Sequence, residues 1–213
     1  MTLDTEQDTA SLLREGAPRP LLSRRAEGDL GDRHREVLDQ LETLFLARGF
    51  AAFTVRELAA GVGCSRRTLY ELAPSKGDLV LLVLDRFLHR IGRSALSAID
   101  HNAPVIEQVR QYVTGGIELQ RRTAAFAEDL ADEPAARRLL ERHFRYVTRV
   151  VERLVALGMD RGEVRDVDPA VAAAAIAGSV LALTRADVAA TIALDGEQFV
   201  DSLLDFLLRS LEP

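Results

Sequence analysis

Residues 54 to 76 read TVRELAAGVGCSRRTLYELAPSK, and this stretch limits the possible folds more than any other. Thr54 is an N-cap residue ahead of Val55, Leu58, Ala59 and Val62, which fall on one helical face. Gly63 closes that helix, since glycine takes positive φ without steric cost. Only Val62-Gly63-Cys64 separate it from a second N-cap, Ser65, and a short helix ending near Leu72 with Leu69 inward. Small residues, Ala59 and Gly63, stand where the two helices must pass closely. The pattern is a helix-turn-helix.

The second helix of such a pair lies in the major groove of DNA. Arg66 and Arg67 occupy its first turn, where the helix carries partial positive charge and disfavours cations, so an external anion would remove a cost. An arginine bonds guanine O6 and N7 bidentately, and the hydroxyls of Thr54, Thr68 and Tyr70 suit phosphates. Glu71 follows Arg67 by four residues. It either pairs with that arginine and fixes its rotamer or accepts from a cytosine amino group. Lys76, the single lysine, opens the next helix and can reach a flanking phosphate with its backbone N–H.

Helical spacing extends over the rest of the chain. Val37, Leu38, Leu41, Leu44 and Phe45 define a helix from Asp32 to a stop at Gly49. Pro74-Ser75 starts another, with Ser75 and Asp78 as a capping box and an apolar run from Leu79 to Leu88. Further helices are expected over 103–122, 123–131, 134–157, 168–190 and 196–211, and Gly115-Gly116 should mark a kink or a close approach. No alternating β-rich run appears. The fold class is all-α.

Net charge is −6, yet from Asp32 to Arg90 there are nine Lys or Arg against eight Asp or Glu, leaving 18 basic and 25 acidic residues elsewhere. The acidity lies outside the segment that holds the arginines, so a polyanionic partner remains compatible with the charge. One cysteine, Cys64, excludes an internal disulfide framework and reads as a small core residue rather than a redox sensor. No run of 18 apolar residues is present to span a bilayer, and SRRAEGD at 23–29 is followed by polar residues rather than the apolar core of an export signal. A soluble, cytoplasmic chain is expected. The four histidines lack metal-ligand spacing, Asp85 and His89 read as a surface pair, and no cofactor is implied. Arg24 and Arg25 fall in a stretch read as a disordered tail rather than a minor-groove arm.

TVRELAAGVGCSRRTLYELAPSKGDLV resembles the DNA-binding region of the TetR family of bacterial transcriptional regulators, over about residues 33 to 91. Thr54, Ser65, Arg66, Arg67, Thr68, Tyr70, Glu71 and Lys76 are the expected DNA-binding residues. The resemblance implies operator contacts for Thr54, Arg66, Arg67, Thr68, Tyr70 and Lys76. Two departures stand out. ELA at 71–73 replaces the aromatic-rich segment usual before PSK, and Glu71 stands where histidine is frequent.

The organisation expected is a flexible arm over 1–30, a three-helix helix-turn-helix DNA-binding domain over 31–75, and a helical effector-binding and dimerisation domain over 76–213. A pocket for a small, apolar effector is expected from Phe87, Tyr112, Ile117, Phe126, Phe144 and Thr148. Ala174, Gly178 and Leu181 on an alanine-rich helix, with Phe199, Leu203 and Phe206 on the last helix, are the expected homodimer interface. A two-fold dimer would set two recognition helices about 34 Å apart on double-stranded operator DNA. The function expected is a repressor released from a palindromic operator by its effector. The alternatives are a helical ligand-binding scaffold and an all-α enzyme, the latter without any nucleophile–base constellation.

Overall fold

The computed structural model describes residues 11–122, 126, 129, 130, 133–183 and 196–213. All regular structure among the described residues is helical. The elements are α1 (Arg24–Asp29), α2 (Asp32–Arg48), α3 (Val55–Gly61), α4 (Arg66–Leu72), α5 (Lys76–Ser97), α6 (Val105–Arg122), α7 (Pro134–Asp160), α8 (Pro169–Leu183) and α9 (Gly196–Arg209). Side chains cap the helix starts. Ser75 Oγ accepts from Asp78 N–H at 3.1 Å at the start of α5, and Asp168 Oδ1 accepts from Ala170 and Val171 N–H at 2.9 and 3.1 Å ahead of α8. The expected helix over 123–131 and the end of that over 168–190 lie largely outside the described residues.

The chain divides into two compact units. One comprises Arg19–Arg90 and Arg122–Arg142, the other Met1–Pro18, Ile91–Arg121 and His143–Pro213.

The first, the helix-turn-helix unit, is built on Val37, Leu38, Leu41 and Phe45 of α2, all fully buried with Leu58, Leu69 and the apolar face of α5. Residues from beyond α6 complete this core. Phe126 is fully buried with its ring 5.7 Å from those of both Phe45 and Phe50. Asp85, read from sequence as a surface residue, is only 1% exposed. Its carboxylate accepts from Leu21 N–H at 2.7 Å and lies 3.5 Å from Arg142 Nη2 and from His89 Nδ1. The surface reading fails because the segment before α1 folds over this face of α5.

That segment was expected to be part of a flexible arm. Instead Ser23 caps α1 by accepting from Ala26 N–H, and Glu27 of α1 meets Arg86 at 3.2 Å. Leu22 and Leu30 pack on the core. Arg25 pairs with Asp29 at 3.8 Å within α1.

The second unit packs α6, α7, α8 and α9 around Val105, Val109, Val150, Leu154, Leu204 and Leu208. Gly115 is a close approach, since a Cβ there would meet the Ala95 backbone at 3.3 Å, whereas one at Gly116 would meet nothing within 4 Å. The tightest site is Gly158, where a Cβ would lie 2.4 Å from Val164 Cγ2 and 3.1 Å from Val105 Cγ1. Gly158→Ala is therefore expected to destabilise the chain by about 1–3 kcal/mol through overpacking. Gly116→Ala should be neutral or stabilising by up to about 1 kcal/mol, because alanine replaces a helical glycine in open space. Urea unfolding of the two variants beside wild type checks the pair.

Candidate nucleic-acid interface

The interface is assembled from short elements that fix one another. At the start of α3, Thr54 Oγ1 accepts from Glu57 N–H at 3.3 Å, while the Glu57 carboxylate accepts from Thr54 N–H at 2.8 Å and from the Thr54 hydroxyl at 2.7 Å. This reciprocal capping box satisfies donors that a helix start leaves open. At the other end Gly63 takes φ +59, its N–H bonded to Ala60 O at 3.2 Å and the next N–H, of Cys64, to Ala59 O at 2.9 Å. Arg33 of α2 reaches this turn and donates to Gly63 O at 2.6 Å. The turn is thus held from both sides.

Ser65 then caps α4, accepting from Thr68 N–H at 3.1 Å, with the two hydroxyls 3.0 Å apart. Leu69 is 1% exposed and anchors the helix to the core. Ser65, Arg66, Arg67, Tyr70 and Glu71 lie on the exposed side, with Thr68 half-buried. The first turn of α4 holds no acidic residue, so Arg66 and Arg67 stand there without a counter-charge in that turn. Arg67 Nε donates to Glu71 at 3.0 Å, and His34 Nε2 lies 3.4 Å from the other Glu71 oxygen. Of the two sequence readings for Glu71, the pairing with Arg67 is the one seen in the free chain. The Arg67 hydrogen bond, with a smaller contribution from His34, holds the Glu71 carboxyl below its usual range.

Lys76, at the start of α5, donates from Nζ to Ala51 O at 3.2 Å and lies 5.8 Å from the centre of the Phe50 ring. Asp129 holds the same turn, accepting from the N–H groups of Phe50 and, at 2.7 Å, Ala51. Sequence reasoning missed this support, as it missed Arg33 and the guanidinium of Arg48 lying 5.0 Å from the centre of the Phe53 ring. Nothing in local spacing pairs residues about eighty positions apart. Cys64 is half-buried, its Sγ 3.5 Å from Ser65 O, and burial pushes its thiol up, which leaves little thiolate for redox chemistry.

The six expected pocket residues divide between the units. Phe87, 2% exposed beneath Arg90, and Phe126 belong to the helix-turn-helix unit. Tyr112 is 3% exposed in the second unit, where Phe144 and Thr148 are half-buried on α7 and Thr148 Oγ1 donates to Phe144 O at 3.0 Å. The Ile117 side chain lies outside the described residues. Of the expected interface residues, Ala174, Leu181 and Phe206 are exposed, Phe206 by 77%, and Gly178 and Phe199 are half-buried. Leu203 instead packs in the unit's own core. Among the described residues no three His, Cys, Asp or Glu side chains are placed to hold a metal. No helix among them is long and apolar enough to cross a membrane.

A capped helix, a glycine turn held by an arginine, and a second capped helix exposing two arginines define a helix-turn-helix. Residues 37–83 match the family model described as bacterial regulatory proteins, tetR family. The HTH-type transcriptional regulator EthR of Mycobacterium tuberculosis is 32% identical over 107 residues, covering 50% of this chain and 48% of EthR. Over this region the chain is similar to the TetR family. It spans about half the length of the curated relatives it matches. Among solved structures, a putative transcriptional regulator from Saccharomonospora viridis in complex with choline superposes with a TM-score of 0.71 at 19% identity, over 84% of this chain and 97% of that one. AibR in complex with isovaleryl coenzyme A and operator DNA gives 0.60 at 21% identity, over 85% and 99%. These likenesses establish the fold.

Two measurements test the local account. Thr54→Ala is expected to cost about 1 kcal/mol in urea unfolding through loss of the cap. Glu57 has its carboxyl lowered, first by the Thr54 backbone N–H and then by the Thr54 hydroxyl. A lowered folded value means that the stabilisation is complete above the ordinary 4.5 and is lost as pH falls through the folded value. Unfolding followed from pH 7 down through that window should therefore show a shallower acid limb for Glu57→Gln than for wild type.

Proposed function

We propose that this protein is a TetR-family, sequence-specific repressor that binds a palindromic operator as a homodimer and is released by a small-molecule effector. The observation that carries the reading is the exposed pair Arg66 and Arg67 in a first turn without an acid, on a helix anchored by Leu69. Double-stranded DNA supplies the missing anion, and guanine supplies the bidentate acceptor. Residues 31–75 are then the DNA-binding domain and 76–213 the effector and dimerisation domain, in a cytoplasmic protein.

Dimerisation is supported by the apolar surface of α8, where Val171 is 66% and Leu181 45% exposed, and by Phe206 of α9. Exposed large apolar side chains on two helices of one unit support the reading of an association surface there. The effector reading draws on the solved relatives carrying choline or isovaleryl coenzyme A. An effector acts only through its different affinity for the binding-competent and incompetent dimers.

The test is binding of the purified chain to DNA flanking its own gene, at several salt concentrations, beside Arg66→Ala/Arg67→Ala. A protected palindrome is expected, with affinity falling steeply in salt. The double variant should lose roughly 30-fold or more, at about 1–3 kcal/mol for each bidentate contact. Salt-insensitive binding, or none, by a folded dimer would leave a ligand-binding scaffold instead. Separately, Phe206→Glu should yield a folded monomer in sedimentation, while Leu203→Ala should keep the dimer and lower stability by about 2–5 kcal/mol.

A further inference from the structure

Residues 11–14 form one helical turn that sends a single side chain into the second unit. Leu13 is 1% exposed within the core that contains Tyr112, Tyr146 and Val150, while Leu12 beside it is 43% exposed. The backbone enters with it. Tyr146 Oη donates to Leu13 O at 3.0 Å in a buried bond spanning 133 residues of sequence. Outside this bond the anchor is exposed: Arg153 Nη1 donates to Leu12 O at 2.6 Å and Glu15 O at 2.8 Å. Gly16, at φ +71, then turns the chain away.

Among the described residues, every other side chain of this core comes from α5 to α9 or from the links between them and the chain end, whereas Leu13 is the sole contributor from residues 11–18. Detaching it uncovers one isobutyl group and breaks one buried hydrogen bond, since water can replace the exposed ones. A molecule supplying the same two features would exchange with it at little net change. We propose that Leu13 is an internal occupant of a ligand site, in the place of an uncharged aliphatic compound that carries one carbonyl acceptor for Tyr146. This rests on the ligand-responsive reading above and names the chemistry of the effector. Alkyl groups and the Tyr112 ring line the buried end of the place, where Tyr146 offers one neutral hydroxyl donor, so a neutral acceptor suits it there; the cation Arg153 stands at its exposed side.

The probe is 5-methyl-2-hexanone, which reproduces the leucine side chain through Cα together with a carbonyl. Calorimetry with the full chain should give weak binding to wild type and at least tenfold tighter binding to Leu13→Ala, which has no occupant to displace. Adding Tyr146→Phe to that variant should weaken binding about three- to tenfold, the worth of one hydrogen bond. In wild type the ketone should speed amide exchange at residues 12–16 and tryptic cleavage after Arg14. Tyr146→Phe alone should do the same without ketone, which keeps the proposal testable if Leu13→Ala fails to fold. The site is overturned if folded Leu13→Ala binds no ketone, if it binds no tighter than wild type, or if exchange at 12–16 is indifferent to both ketone and Tyr146→Phe. Operator affinity measured in the same samples separates the two claims: ketone bound with operator affinity unchanged sinks effector release and leaves the site standing.

Discussion

A helix of seven residues does not hold itself together in water, because nucleation consumes most of what so few hydrogen bonds return. Residues 66–72 are such a helix, with two arginines placed against the helix dipole as a further handicap. Its persistence depends on Leu69, whose burial contributes about 1.5–3 kcal/mol, and on the Ser65 cap and the turn at Gly63. The remainder of the helix-turn-helix unit can be understood as support for that small element. α2 supplies the wall and Arg33 ties down the turn from it, while α5 closes the core behind.

The same dependence explains how the charges are arranged. A chain of net charge −6 meets a polyanion only if its cations are concentrated and oriented. Arg67 is oriented by Glu71, which is itself steadied by His34 of α2, so an exposed guanidinium 89% open to solvent is still given a preferred direction. Such a pair adds little stability in water. In the operator complex proposed above, an arginine already aligned would lose less rotamer freedom on meeting a base edge. Arg66, on the same turn, has no such partner within its first turn and stays adaptable.

What could be read from the sequence was what local rules encode. The caps at Thr54, Ser65 and Ser75, the stop at Gly49, the turn at Gly63 and the inward faces of the three helices between Asp32 and Leu72 follow from neighbours within four residues, and these appear where expected. Long-range pairing was not legible. Phe126 reads as one aromatic among several until Phe45 and Phe50 are seen beside it, and Asp85 looks solvated until Leu21 N–H is found against it. Periodicity reports that a face is apolar without saying which partner covers it, which is why Leu203 looked like an interface residue and lies in a core. The segment from 11 to 30 was misjudged for a related reason: its composition is that of a disordered tail, yet Leu13, Leu22 and Leu30 are spaced to anchor it at three points.

The departure at 71–73 stands beside an aromatic cluster built from distant residues. Without aromatic side chains before PSK, the end of α4 is closed by Ala73, 6% exposed, and by half-buried Leu72, which together fill less volume than the usual pair would. The aromatic mass of this unit lies instead in Phe45, Phe50 and Phe126, set edge-on or tilted at 5.7 to 5.9 Å. Asp129 then binds the N–H groups of Phe50 and Ala51, and Lys76 binds the Ala51 carbonyl. The turn ahead of Thr54 is thereby held at its donors by one charge and at its acceptor by the opposite one. An ammonium has three donors, so the bond to Ala51 leaves Lys76 able to meet a phosphate without releasing the turn that positions the first helix of the pair.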